Sequence, residues 1–145
     1  MPVKFLGGLA ALLVVVLLSP AAPTFAHHGF AVEFDASKCM NLKGTLTGID
    51  WENPHAYVHL DVKDGSGNAV EWRLEMITPL ALKRNGTTRE DFLANMGKPM
   101  AARACPTRTG GTPNKGAAEF IELADNQVRV TGQLVESLKP EEFHF

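Results

Sequence analysis

Residues 41–51 read NLKGTLTGIDW and residues 56–76 read AYVHLDVKDGSGNAVEWRLEM. In the first stretch Leu42, Gly44 and Leu46 alternate with Lys43, Thr45 and Thr47, the period of a half-buried strand. Gly48 then shifts the phase, so that Ile49 and Trp51 become the apolar pair. A glycine inside an alternating run marks a bulge or a sharp bend. The first stretch therefore reads as one long bent strand.

In the second stretch Ala56, Val58, Leu60 and Val62 alternate with Tyr57, His59, Asp61 and Lys63. After a glycine-rich loop, Val70, Trp72, Leu74 and Met76 alternate with Glu71, Arg73 and Glu75. Two half-buried strands around such a loop make a hairpin. A tight loop at Ser66-Gly67-Asn68 sets Lys63 opposite Glu71, Asp61 opposite Arg73 and His59 opposite Glu75. The neighbouring same-face register would oppose Asp61 and Glu71. Charge pairing thus favours the first register by a few tenths to ~1 kcal/mol per pair.

Outward from these strands the punctuation is clear. Glu52-Asn53-Pro54 is a turn, and Thr78-Pro79 is a cap followed by Pro at the first helical position. A short helix over 80–84 stops at Asn85-Gly86. Thr87 to Glu90 has the spacing of a capping box, so 88–95 reads as a second short helix with Phe92, Leu93 and Met96 inward. Strands are expected over 98–107, 118–124 and 127–135, with a surface loop at 109–116. Residues 27–38 have no sustained period and read as an extended arm.

Three strands, a helical connection and two or more strands is the element order of an OB barrel, closed by a long bent first strand. The expected fold is all-β: a small OB-like, five- or six-stranded, antiparallel-rich barrel with a short helical connection between strands 3 and 4. A small antiparallel sandwich is the competing architecture. The barrel is assigned to 41–135, after an arm at 27–40 and before a tail at 136–145.

Residues 1–26 have the layout of a secretory signal peptide. One charge, Lys4, precedes an uncharged apolar run over 5–18, and Thr24 and Ala26 occupy the small-residue positions before a cleavage point. The run is shorter than the ~20 residues that span a hydrocarbon core, so no membrane anchor is expected after cleavage following Ala26. The protein is therefore expected to be periplasmic or secreted. Cys39 and Cys105 are an even pair in a chain bound for an oxidising compartment, which suggests one disulfide, with two separate buried thiols as the other possibility. With 14 basic against 16 acidic side chains, the chain lacks the basic excess that a nucleic-acid partner requires.

The five histidines are His27, His28, His55, His59 and His144. Cleavage after Ala26 gives His27 a free α-amine beside its imidazole, and the two nitrogens can chelate one metal. One further imidazole completes a three-nitrogen site of the kind called a histidine brace. Nitrogen-rich tetragonal coordination suits Cu(II), so copper is the expected cofactor. His55 is the preferred second ligand because it adjoins the rigid Asn53-Pro54 turn, and His28 is the alternative. Glu75 is a further ligand or orienting group, and His59 stands as a supporting residue or an ordinary cross-strand contact. His144 lies near the end of the chain and reads as inert. Trp51, Asn53, Tyr57 and Phe30 are the candidate contact surface. There is no GxSxG, P-loop, GxGxxG or HExxH pattern, so no enzyme is expected from motif.

Several of these residues also carry a resemblance. Ala26-His27-His28-Gly29-Phe30, Leu42-Lys43-Gly44-Thr45, Trp51-Glu52-Asn53-Pro54-His55-Ala56 and Trp72-Arg73-Leu74-Glu75 resemble the pattern of a family of small exported bacterial proteins of unknown function. Pro79-Leu80, Leu82 and Asn85-Gly86 match a later part of it, and the likeness runs from about 26 to 124. The resemblance implies location and fold more than activity. It raises the standing of His27, His28, Asn53, His55 and Glu75, which occupy the pattern's polar positions. Cys39, Cys105 and the loop over 107–116 depart from that pattern.

The functional expectation is an exported protein binding copper through His27 and His55. The alternative is a metal-free module for a small ligand or an envelope protein. A copper oxidase or monooxygenase would also need an open coordination position and a substrate face, which the sequence does not locate.

Overall fold

The first strand, β1 (Met40–Asp50), bends where the alternation breaks. This computed structural model describes residues 29–134, 136, 139–143 and 145. Leu46 pairs with Leu60 but Gly48 pairs with His59, so Thr47 is the extra residue of a bulge. The bend lets one strand serve two neighbours. Its first half pairs with β4 (Pro99–Pro106), and its second half with β2 (Tyr57–Lys63). Gly44 sits at the crossover, where a Cβ would lie 2.0 Å from the Asp61 carbonyl oxygen. Only glycine admits so close an approach of two backbones.

The hairpin partner of β2 is β3 (Ala69–Glu75), and β4 pairs along its length with β5 (Lys115–Glu122). The start of β5 lies parallel to the end of β3, with Glu75 opposite Ala117, and this closes a five-stranded barrel. A short β6 (Val128–Val130) pairs with the far half of β5. The expected OB-like barrel is therefore the observed architecture. Leu46, Val58, Leu60, Leu74 and Ile121 fill the interior, while Ala102 and Ala104 keep β4 close to its neighbours. β6 is shorter than the expected 127–135 because the Thr131 and Gly132 amides both turn to the Glu119 carbonyl.

The hairpin register differs from the expected one. Asp61 faces Glu71, His59 faces Arg73, and Tyr57 faces Glu75. The Asp64 side chain accepts from the Ser66 and Asn68 amides, and Gly67 takes φ +84°, so a five-residue loop is closed over 64–68. The two registers differ by two residues and bury the same apolar rows. Loop hydrogen bonds therefore decided the outcome, against cross-strand charge terms of under ~1 kcal/mol. Glu71 is relieved of Asp61 by leaning to His59 Nδ1 at 3.2 Å.

The helical connection between β3 and β4 is α2 (Pro79–Arg84) and α3 (Arg89–Ala94), following α1 (Phe30–Glu33) near the start. Thr78 caps α2 as its sequence suggests. The capping box of α3 is Thr88 with Asp91, one residue later than Thr87 with Glu90. Thr87 is buried, with its amide on the Leu82 carbonyl, and so cannot act as the cap. That shift leaves Phe92 buried but turns Leu93 (44%) and Met96 (36%) toward solvent, contrary to the expected inward face.

Over its described residues, 29–38, the arm is not extended. It folds as α1 and a 3-10 turn (Ala36–Lys38), and Phe34 is buried on the barrel. Cys39 and Cys105 form a disulfide, because the β1–β4 register of Met40 opposite Ala104 makes them the next cross-strand pair. In the tail, Phe143 stacks on Phe120 at 5.2 Å, and Glu136 accepts two hydrogen bonds from the Arg103 guanidinium.

Candidate functional site

The outward rows of β2 and β3 and the turn before β2 converge on Glu75. Tyr57, directly opposite in the register, donates from its hydroxyl to Glu75 Oε2 at 3.3 Å. His55 approaches from the turn, with Nδ1 3.5 Å from Glu75 Oε1 and 3.1 Å from the Met76 carbonyl oxygen. A carbonyl oxygen only accepts, so this contact places the proton on Nδ1 and leaves Nε2 with its lone pair in the neutral ring. His55 and Glu75 are each about one-fifth exposed, enough for a ligand to reach them.

Glu75 sits in a restrictive environment. Burial pushes its carboxyl above the ordinary range, and the negative charge of Glu33 adds to this. The His55 imidazole and the Tyr57 hydroxyl work in the other direction without cancelling it. Burial and the neighbouring Glu75 likewise push the Tyr57 phenol up. The Arg73 guanidinium lies 3.4 Å over the Tyr57 ring centroid, a cation–π contact.

A raised carboxyl pKa means that the fold holds the Glu75 proton more tightly than the unfolded chain does. Its ionisation therefore costs stability above the folded pKa, and that cost disappears below the unfolded pKa. Glu75→Gln is accordingly expected to stabilise the protein at neutral pH. The gain should shrink to nothing as pH falls below the ordinary carboxylate range. Urea unfolding at a series of pH values measures this, and an equal gain at all pH values would contradict it.

Next to this group lies a second, more exposed one. His59 Nε2 is 3.0 Å from Asp50 Oδ2 and its Nδ1 is 3.2 Å from Glu71 Oε1, so the ring is held between two carboxylates. The hydrogen bond with His59, aided by Arg73, draws the Asp50 carboxyl below its ordinary value. His59 thus does not face Glu75, as the expected register had it. Both its nitrogens are engaged on the surface, whereas His55 keeps one open.

The remaining sequence candidates divide in the same way. Trp51 is partly buried and packs against the core, 6.2 Å from the Phe92 ring. Asn53 is exposed on the turn, where its bond to Pro54 is cis. Phe30 packs against Phe34 at 5.2 Å and lines a small cavity together with Glu75 and Met76. His27, His28 and His144 lie outside the described residues. Among the described residues no group of three or more His, Cys, Asp or Glu is placed to hold a metal ion.

Sequence reasoning missed Arg73 and Glu33. Arg73 lies on the same outward row as Glu75, a legible signal, but its stacking on Tyr57 depends on the true register. A cleft of about 100 Å³ runs beside the site, lined by Glu33, Phe34, Tyr57, Arg73, Glu75 and Lys115.

No curated protein and no solved structure matches the chain. A family profile matches residues 14–116, which takes in β1 to β4, the helical connection and every described residue of the His55–Tyr57–Glu75 group. The chain belongs to that family, DUF6152, a family of unknown function.

Proposed function

We propose that this is an exported, non-enzymatic protein that binds a copper ion through His55 and the amine and imidazole of His27. Glu75 adds an oxygen ligand or steadies the site, and His28 stands by as the alternative nitrogen donor. The observation that carries the reading is the His55 ring, pinned through Nδ1 on the Met76 carbonyl. A ring fixed this way by a carbonyl is the usual support for an imidazole that binds metal through its other nitrogen.

Two further features fit. Phe30 shares a cavity with Glu75, and three residues of extended chain span up to about 11 Å, a length the proposed His27 ligand could use to reach it. The described residues supply one open imidazole and one carboxylate there, so a complete copper site draws its remaining nitrogens from residues before 29. An amine, two imidazoles and a carboxylate make the nitrogen- and oxygen-rich donor set that tetragonal Cu(II) favours.

The test is a Cu(II) titration of two forms, one beginning at His27 and one with a single glycine before it, with electron paramagnetic resonance on each. The His27 form should bind far more tightly and show a nitrogen-rich spectrum. His55→Ala should then weaken binding by more than the ~10–100-fold typical of losing an outer-shell partner. Equal weak binding in both forms would sink the reading. In that case the cleft beside Tyr57, Arg73 and Glu75 favours the second reading, a metal-free module for a small ligand or an envelope protein.

A further inference from the structure

Two pairs of like charges line the cleft beside Glu75. β3 and β5 run parallel there, with Arg73 opposite Lys115 and Glu75 opposite Ala117. Leu74 and Ala118 belong to the core, so by the alternation of strands Arg73 and Lys115 both lie on the outer face. Adjacent strands are about 5 Å apart, and like charges directly opposite each other at that spacing are destabilising. Arg73 has partners elsewhere, with Nη2 3.4 Å from Asp50 Oδ2 and 3.9 Å from Glu52 Oε1. Lys115 is half-buried and makes no ion pair among the described residues.

The carboxylates repeat the pattern. Glu33 of α1 lines the same cleft and likewise makes no ion pair among the described residues. Burial pushes the Glu75 carboxyl up, and the Glu33 charge adds to that shift, while His55, Tyr57 and Arg73 oppose it without cancelling it. A lone anion in the cleft would relieve Arg73 and Lys115 but be repelled by Glu33 and Glu75. A lone cation would meet the reverse. A molecule carrying both charges close together relieves both pairs. The cleft holds about 100 Å³, several times the ~10–15 Å³ that admits one water, so it takes a handful of non-hydrogen atoms. Phe34 and Tyr57 supply ring surface for a short apolar substituent.

We propose that this cleft binds a small zwitterion of the α-amino acid class, its carboxylate received by Arg73 and Lys115 and its ammonium by Glu33 and Glu75. This deepens the metal-free reading of the same cleft and rests on it. It uses no metal and no residue before 29. Hydrogen bonds between ionised partners are roughly twice as strong as neutral ones, and here each also removes a repulsion already present in the empty cleft.

The experiment titrates L-alanine, propionate and ethylamine calorimetrically into protein purified from cells expressing the full chain, at low salt with EDTA present. L-alanine should bind saturably. Propionate lacks the ammonium and ethylamine lacks the carboxylate, so each should bind at least about tenfold more weakly. Lys115→Gln and Glu33→Gln should each weaken L-alanine binding by at least about tenfold. Neither should lower the urea midpoint of the empty protein, because each removes one member of a like-charge pair. Both variants are expected to fold, since neither side chain makes an ion pair among the described residues. Propionate binding as tightly as L-alanine overturns the zwitterion and leaves the metal-free reading with a plain anion site. No binding of any of the three overturns the proposal together with the small-ligand reading. L-alanine binding that appears only without EDTA overturns it in favour of a metal at the site. Unchanged affinity in both variants, or a midpoint lowered in both, overturns it as well.

Discussion

Replacing Phe92 by alanine is expected to cost about 3–5 kcal/mol of unfolding free energy, the usual penalty for emptying a fully buried aromatic site. Phe92 is the inward residue of a six-residue helix and has no exposed surface. Helices this short do not stand alone in water, so α3 exists because Phe92 docks it on the barrel. Thr88 and Asp91 cap its start, but a cap is worth only about 1 kcal/mol and cannot replace the lost anchor. The Trp51 ring lies 6.2 Å from that of Phe92, so its fluorescence should shift as the site loosens. Urea unfolding followed by that fluorescence measures the loss. A cost below about 1 kcal/mol would mean that α3 does not close the barrel end.

Removing the disulfide is expected to cost about 4 kcal/mol, from the loop-closure entropy of a bond spanning 66 residues. Cys39→Ser with Cys105→Ala is the suitable pair, because a serine at the fully buried 105 position would add an unsatisfied hydroxyl. Most of this loss arises in the unfolded chain, which becomes free to expand. The denaturant slope should therefore rise along with the fall in midpoint. A midpoint and slope both unchanged would show that the unfolded chain is already compact without the bond.

Local rules read well where one residue had one dominant preference. Gly48 broke the alternation and marked the bulge, and Thr78-Pro79 marked a helix start. The helix starting at Thr88 shows the opposite case. Thr87 and Thr88 have the same capping chemistry, and each has an acidic residue three positions on. Burial of Thr87 chose between them and set which face of α3 meets the core. The hairpin behaves similarly, since both registers bury the same rows and the Asp64 loop separated them. His55 and Glu75 were both legible as candidates. Their meeting was not, because the register that opposes Tyr57 to Glu75 also opens Glu75 to the turn residue.

By itself the sequence determined the strand periods, the bend in β1, the helical connection, the even pair of cysteines and the short roster of histidines. Those follow from interactions a few residues long, whose preferences do not depend on the rest of the chain. Only the tertiary structure decided which of His55 and His59 keeps a nitrogen open. His59 lies between Asp50 and Glu71, while His55 rests on the Met76 carbonyl. It also decided that the arm folds back on Cys105 and Ala117 beside Glu75. These outcomes depend on strand register and barrel closure, where contacts between residues far apart in the chain outweigh local preferences of a few tenths of a kcal/mol.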